Sequence, residues 1–123
     1  MKPTTDNFIE KSHLLFDYMK ANRRYCTKEE LADVISVKSE RVVRDIINFL
    51  RNKGYCICAI SSKRGYKLMS YTNHTTEDEE DVRNMIYEIE KRKVELESMQ
   101  KCCDRFFKKT EEYKKQQNNS LIK

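Results

Sequence analysis

The stretch from Thr27 to Lys53, TKEELADVISVKSERVVRDIINFLRNK, constrains this chain more than any other, because its punctuation fixes two helices and the turn between them. Thr27 followed three residues later by Glu30 is a capping box, in which hydroxyl and carboxylate each satisfy an orphan amide at a helix start. A short helix is expected from there to about Ile35, then a turn at Ser36-Val37-Lys38. Ser39 caps a second, longer helix that carries Val43, Ile46, Ile47 and Leu50 at helical spacing, and Gly54, free to adopt positive φ, ends it.

Beyond Gly54 the pattern changes to that of a hairpin. Cys56-Ile57-Cys58-Ala59-Ile60 and Tyr66-Lys67-Leu68-Met69 have strand character, and Ser61-Ser62-Lys63-Arg64-Gly65 between them makes a basic tip. Upstream, Phe8/Ile9, Ser12, Leu15/Phe16 and Met19 recur at three- and four-residue steps, so a first helix runs from Asp6 to about Asn22, after a loose end over residues 1–5. Its apolar side closes over the helix pair, in which Leu31 and Val34/Ile35 face inward and Ala32 lets the next helix come close.

A short helix, a tight turn and a longer helix with one apolar face is the arrangement that lays a recognition helix in the DNA major groove. Subtracting the apolar positions leaves Lys38, Ser39, Glu40, Arg41, Arg44, Asp45 and Asn48 on the outside. Arg41 and Arg44 can each offer a fork to guanine or clamp a phosphate, Glu40 can accept from a cytosine amine, and Ser39 at the helix start suits a phosphate. Lys63 and Arg64 at the tip reach a minor groove or straddle phosphates.

The order helix, Ser-Glu-Arg helix start, Gly-Tyr, strand, Arg-Gly-Tyr, strand in CTKEELADVISVKSERVVRDIINFLRNKGYCICAISSKRGYKL resembles the winged helix-turn-helix domain at the front of biotin-ligase repressors. It is still more similar to small winged-helix proteins of bacteriophages and prophages, in which a charged helix follows the hairpin. The likeness spans roughly Phe8 to Cys103 and departs at the turn, where Ser36 stands in place of the frequent glycine and is strained if its φ is positive. The resemblance implies a sequence-specific double-stranded DNA-binding protein, with recognition helix 39–53 and wing 61–65. It also implies a place near the DNA backbone for Arg23-Arg24, which sit in the first connection. A replication accessory role in a phage-like module, or an adaptor that docks a protein on its long helix, remain as alternatives.

The net charge of +5 is unevenly placed. Up to Thr75 there are fourteen lysines and arginines against eight aspartates and glutamates; beyond it eleven cations meet twelve acids. The basic excess therefore belongs to the part that would meet a polyanion. SYTNHTT (Ser70–Thr76) is a polar linker in which His74 is an exposed loop residue, and Thr76 with Glu79 forms a second capping box. Glu77, Asp78, Glu80 and Asp81 suit the positive end of a helix dipole.

From Val82 to Tyr113 neither proline nor glycine interrupts a seven-residue apolar repeat: Val82, Ile89, Leu96, Cys103 and Thr110 form one series, Met85, Arg92, Met99, Phe106 and Tyr113 the other. Only Arg92 and Thr110 break the seam. Such a heptad helix calls for a coiled-coil partner, either a second copy, favoured because the seam outruns a small domain, or the chain's own winged domain. Ile86, Tyr87 and Val94 lie off the seam and suggest further packing of its first half.

The expected class is thus mainly α with a small β-hairpin, plus a long C-terminal helix. The expected divisions are 1–70 winged domain, 71–76 linker, 77–117 dimerisation helix and 118–123 frayed tail. No run approaches the ~20 apolar residues of a membrane span, and the start lacks the apolar core of a signal peptide, so a cytoplasmic protein is expected. The five cysteines are an odd number without zinc spacing; Cys56 and Cys58 share a strand face, and with His74 they lack a fourth metal ligand. With two histidines, two glycines and no nucleophile beside a base, neither an enzyme nor a cofactor or small-molecule ligand is indicated.

Overall fold

Local capping decides where the first helices begin and end. In a computed structural model of the chain, which describes the backbone of residues 5–122 and the side chains of residues 7–118, helix α1 spans Thr5–Ala21, α2 spans Lys28–Val34 and α3 spans Glu40–Asn52. The Thr27 hydroxyl accepts from the Glu30 amide at 3.1 Å and the Ser39 hydroxyl from the Arg41 amide at 3.2 Å, so both expected caps are in place. The loose end expected over residues 1–5 lies, apart from helical Thr5, outside the described residues.

Both α2 and α3 end in the same device. After α2 the amides of Ser36 and Val37 donate back to the carbonyls of Asp33 and Ala32; after α3 those of Gly54 and Tyr55 donate to Arg51 and Leu50. These paired bonds are the Schellman arrangement, which puts one residue in the left-handed region. Gly54 has φ 102°; at the other position Ser36 has φ 56°, a conformation that costs a residue with a Cβ about 1 kcal/mol. Lys11 from α1 donates to the Ile35 carbonyl at 2.9 Å, satisfying one more orphan group at the turn.

The three helices close on one core of Leu15, Met19, Leu31, Ala32, Ile35, Val43, Ile46, Ile47 and Leu50, and Cys26, Ile57, Cys58 and Ile60 are buried with them. Ser12, buried on α1, returns its hydroxyl to the Phe8 carbonyl at 2.8 Å. Phe8 meets Phe49 edge to face with ring centroids 5.3 Å apart. Arg51 binds the Ile57 carbonyl through Nε at 3.1 Å and Nη2 at 2.7 Å, fixing the end of α3 to the start of the hairpin.

Strands β1 (Ile57–Ile60) and β2 (Lys63–Leu68) pair antiparallel, with Ile57 opposite Leu68, Cys58 opposite Lys67 and Ile60 opposite Lys63, and an irregularity between Cys58 and Ile60. The turn is therefore only Ser61-Ser62, and Lys63, Arg64 and Gly65 lie in the strand, not at a five-residue tip. On its other edge β2 exchanges backbone bonds with Cys26, Cys26 N to Tyr66 O at 2.8 Å and Tyr66 N to Cys26 O at 2.9 Å. Gly65 is what permits that approach, since a Cβ there would stand 2.3 Å from the Cys26 carbonyl oxygen.

Helix α4 runs Thr76–Ile122, past the end expected at 117, because the lysines, glutamates and glutamines along it favour helix and nothing after Gly65 breaks it. Its cap differs from the expected Thr76/Glu79 pair by one residue: the Thr75 hydroxyl accepts from the Asp78 amide at 3.0 Å and the Asp78 carboxylate from the Thr75 amide at 3.1 Å. The chain divides into two units, one through Met85 and one from Ile86 onward. No helix among the described residues is long and apolar enough to cross a membrane.

Two substitutions test this geometry by urea denaturation. Ser36→Gly is expected to stabilise by about 0.5–1 kcal/mol, relief of left-handed strain exceeding the added chain entropy. Gly65→Ala is expected to cost about 3 kcal/mol or more, combining strain with a clash against backbone that cannot give way.

Candidate nucleic-acid interface

The apolar side of α3 is sealed in the core, so its other side faces out by necessity. Lys38, Ser39, Arg41, Arg44, Asp45 and Asn48 are all exposed, and Glu40 is half-buried, as the helical spacing predicts. Glu40 is joined to Lys28 at 3.5 Å. Lys38, Arg41 and Arg44 have no acidic partner among the described residues, which leaves a small field of three unneutralised cations around the first two turns of α3.

The hairpin divides its cations differently. On a strand, adjacent side chains point to opposite faces, and with Lys63 as the first residue of β2 the odd and even positions separate. Tyr66 and Leu68 pack on the helical core, and Arg64 continues their row to the edge, exposed, where it meets Glu29 of α2 at 3.2 Å. Lys63 and Lys67 face the other way, toward the first turns of α4. Grouping Lys63 with Arg64 as two tip residues is therefore corrected: they stand on opposite faces of β2.

The Lys63 side is a polar clamp. Lys63 Nζ donates to Glu77 at 2.5 Å and to Asp81 at 2.8 Å, and Lys67 Nζ to Asp78 at 2.6 Å. Tyr25 donates its hydroxyl to Asp81 at 2.8 Å and lies 3.5 Å from the Cys58 sulfur, its ring 5.5 Å from Lys63 Nζ and 5.9 Å from Lys67 Nζ. The Cys58 thiol in turn reaches the Asp81 carbonyl at 3.6 Å. Burial alone would raise the Asp81 carboxyl, but the bonds from Lys63 and Tyr25 outweigh it and hold it below the usual range. Asp78 is likewise lowered, burial being outweighed by Lys67 and the Thr75 cap. Lys63 is raised by its bonds to Asp81 and Glu77, and burial with the Cys58 and Asp81 bonds raises Tyr25.

Several other expected roles change. Arg24 is held by Glu30, with Tyr18 also bonded to that carboxylate, and Arg24 and Tyr18 together bring Glu30 down to about 2. The guanidinium of Arg24 therefore braces the joint between α1 and α2 while remaining exposed. His74 is an exposed loop residue as expected, and it is also bonded: Nδ1 lies 2.8 Å from the Ser70 carbonyl and Nε2 2.8 Å from Glu79, which raises its pKa, Glu79 contributing most. Tyr71 bonds the Gly54 carbonyl at 3.0 Å and Asn73 N the Ser70 hydroxyl at 3.1 Å, so the linker is built of turns. Cys56 precedes β1, half-buried, and only Cys58 of that pair is fully enclosed.

The seam of α4 is split between the two units. Val82 and Met85 are half-buried, and the Met85 sulfur accepts from the Ala59 amide at 3.4 Å, so the first two seam residues belong to packing within the N-terminal unit. From Ile86 on the apolar residues are open: Ile89 is 49% exposed, Leu96 50%, Met99 62%, Phe106 63% and Tyr113 61%, with Cys103 exposed beside them. Ile86, Tyr87 and Val94 are exposed as well. The hold of the acidic turn on β2 is absent from the sequence expectations, although five consecutive acids, Glu77–Asp81, downstream of two lysines of equal strand parity, are a usable signal.

The chain matches no protein-family model, no curated protein and no solved structure.

The clamp dictates an acid response. Carboxyls whose folded pKa is depressed contribute stability above the unfolded range near 4, lost as pH falls toward the folded value. With Glu30 near 2 and Asp78 and Asp81 also lowered, the thermal midpoint followed by circular dichroism is expected to drop steeply between about pH 4.5 and 2. Asp81→Asn, at a side chain only 6% exposed, is expected to cost about 1–3 kcal/mol at pH 7 and to flatten that drop.

Proposed function

We propose that this chain is a winged-helix, sequence-specific double-stranded DNA-binding protein, a transcriptional regulator of the kind found in phages and prophages, working as a homodimer paired through α4. The observation that carries the proposal is the selective pairing of charge. Lys63, Lys67 and Arg24 are tied to carboxylates, whereas Lys38, Arg41 and Arg44 stand exposed, with no acidic partner among the described residues, at the start of the helix that a helix-turn-helix presents to the major groove.

In this reading the first two turns of α3 enter the groove. Arg41 and Arg44 read base edges or phosphates, Ser39 and Lys38 hold a phosphate at the helix start, and Asn48 lies further along the same side. Arg64 is the wing residue that reaches DNA. Its bond to Glu29 joins two exposed side chains, an interaction worth under about 1 kcal/mol, and it exchanges readily for a phosphate. Lys63 acts indirectly, by fixing the wing to α4. Glu40 meets Lys28 in a solvent-accessible pair at 3.5 Å, while Asp45 stands exposed on the same side with no cationic partner among the described residues, and that acid is what favours the protein-docking adaptor as the second reading.

Fluorescence anisotropy with random and selected duplexes at several salt concentrations tests the reading. Arg41→Ala and Arg44→Ala are each expected to weaken binding by about 1–3 kcal/mol and to change site preference. Arg64→Ala is expected to weaken all duplexes about equally and to lower the salt slope by about 1. Lys63→Ala is expected to lower thermal stability and leave the affinity of the folded protein within about twofold. A chain ending at Met85, which keeps the clamp, should bind more weakly than the full chain by losing its partner. Unchanged binding in both arginine variants would discard the reading in favour of the adaptor.

A further inference from the structure

The open stretch of α4 carries information about how two copies meet. Its seam is Ile89, Leu96, Met99, Cys103, Phe106 and Tyr113, interrupted only by Arg92 and Thr110. A polar residue in a coiled-coil seam costs stability and is tolerated best opposite another polar group, which is how such residues set register. In a parallel pair every seam residue meets its own copy, so Arg92 would face Arg92 at the centre of the contact, and Lys109 would flank Lys114. Both juxtapositions repel.

In an antiparallel pair the two heptad series face each other, and one register alone brings the two interruptions together. We propose that residues 89–113 pair antiparallel with the same stretch of a second copy, Arg92 of one against Thr110 of the other. This deepens the dimer reading above and rests on it, but not on DNA binding. The register then sets Ile89 against Tyr113, Leu96 against Phe106 and Met99 against Cys103, so that every other layer is apolar. Flanking the seam, Glu95 of one copy meets Lys109 of the other, twice by symmetry. Neither residue has an ion-pair partner among the described residues.

The neighbouring registers are worse on the same grounds. Sliding one heptad toward the N-terminus sets Thr110 against Met85, whose sulfur already accepts from Ala59 N. Sliding the other way sets Thr110 against Met99 and leaves Ile89 without an apolar partner. The favoured register begins just where packing within the N-terminal unit stops, after Met85.

Sedimentation of the full chain, without DNA, decides the matter. The native protein is expected to be a dimer at micromolar concentration. Lys109→Glu is expected to weaken it about fivefold by opposing Glu95, Glu95→Lys to weaken it similarly, and the double exchange to restore it to within about twofold. A parallel coil predicts the opposite for Lys109→Glu, a tighter dimer, because the change relieves repulsion from Lys114; that result, or no change, overturns the register while leaving the dimer intact. A monomeric native chain overturns both. As an independent check, spin labels on Lys115→Cys, with Cys56, Cys102 and Cys103 replaced by serine, should lie about 40–50 Å apart in the antiparallel pair, since the two sites are separated by about 42 Å of helical rise. A separation below about 20 Å would overturn the register.

Discussion

The Asp81 carboxylate is the point on which the N-terminal unit turns. It accepts from Lys63 and from Tyr25, and its own backbone carbonyl accepts from Cys58, so one residue ties the connection before α2, both strands and the first turns of α4 together. With a side chain only 6% exposed, it is stable as an anion only because those donors replace water. Asp78 repeats the arrangement one turn earlier, capping α4 through Thr75 and binding Lys67. The hairpin is small, two strands with a two-residue turn, and such a hairpin is marginal alone. Helical core on one face and acidic clamp on the other are what hold it in place.

That clamp also sorts the cations by role. A basic sequence composition says only that a polyanion is a suitable partner; it does not say which lysines and arginines are available to it. Here the fold itself consumes Arg24, Lys63 and Lys67, and Arg51 is spent on the Ile57 carbonyl. Among the described residues of the N-terminal unit Lys20, Arg23 and Lys53 are also exposed without an acidic partner, but only Lys38, Arg41 and Arg44 fall together, at the start of α3 with Arg64 loosely held by Glu29, and that grouping is the physical content of the proposed DNA-facing side. Beyond Met85 the long helix presents exposed apolar residues at heptad spacing; in the proposed reading a second copy covers them, and that pairing would raise affinity through two linked sites without new contacts to DNA.

Much of the fold was legible because it is written in local chemistry. Thr27 and Ser39 cap the helices they should, Gly54 closes α3, and Ser36 takes the positive φ that a turn with the frequent glycine replaced would impose. The hairpin was less legible. Its turn is Ser61-Ser62, without the glycine or asparagine that marks tight turns, while Gly65 a few residues on looks like a turn residue and serves close strand approach instead. Starting the strand at Tyr66 instead of Lys63 hid the parity that sends Lys63 and Arg64 to opposite faces. Long-range pairs such as Tyr25 with Asp81 leave no local trace, so the acidic turn of α4 read as a dipole effect alone.

The most direct test of the account is a residue-resolved amide NMR titration of the full chain with a short DNA duplex at low salt. Perturbations are predicted to concentrate at residues 38–48 and at Arg64, with Lys63, Lys67 and the Asp78–Asp81 turn nearly unmoved. Perturbations confined to α4, or none at concentrations that saturate non-specific sites, would contradict it.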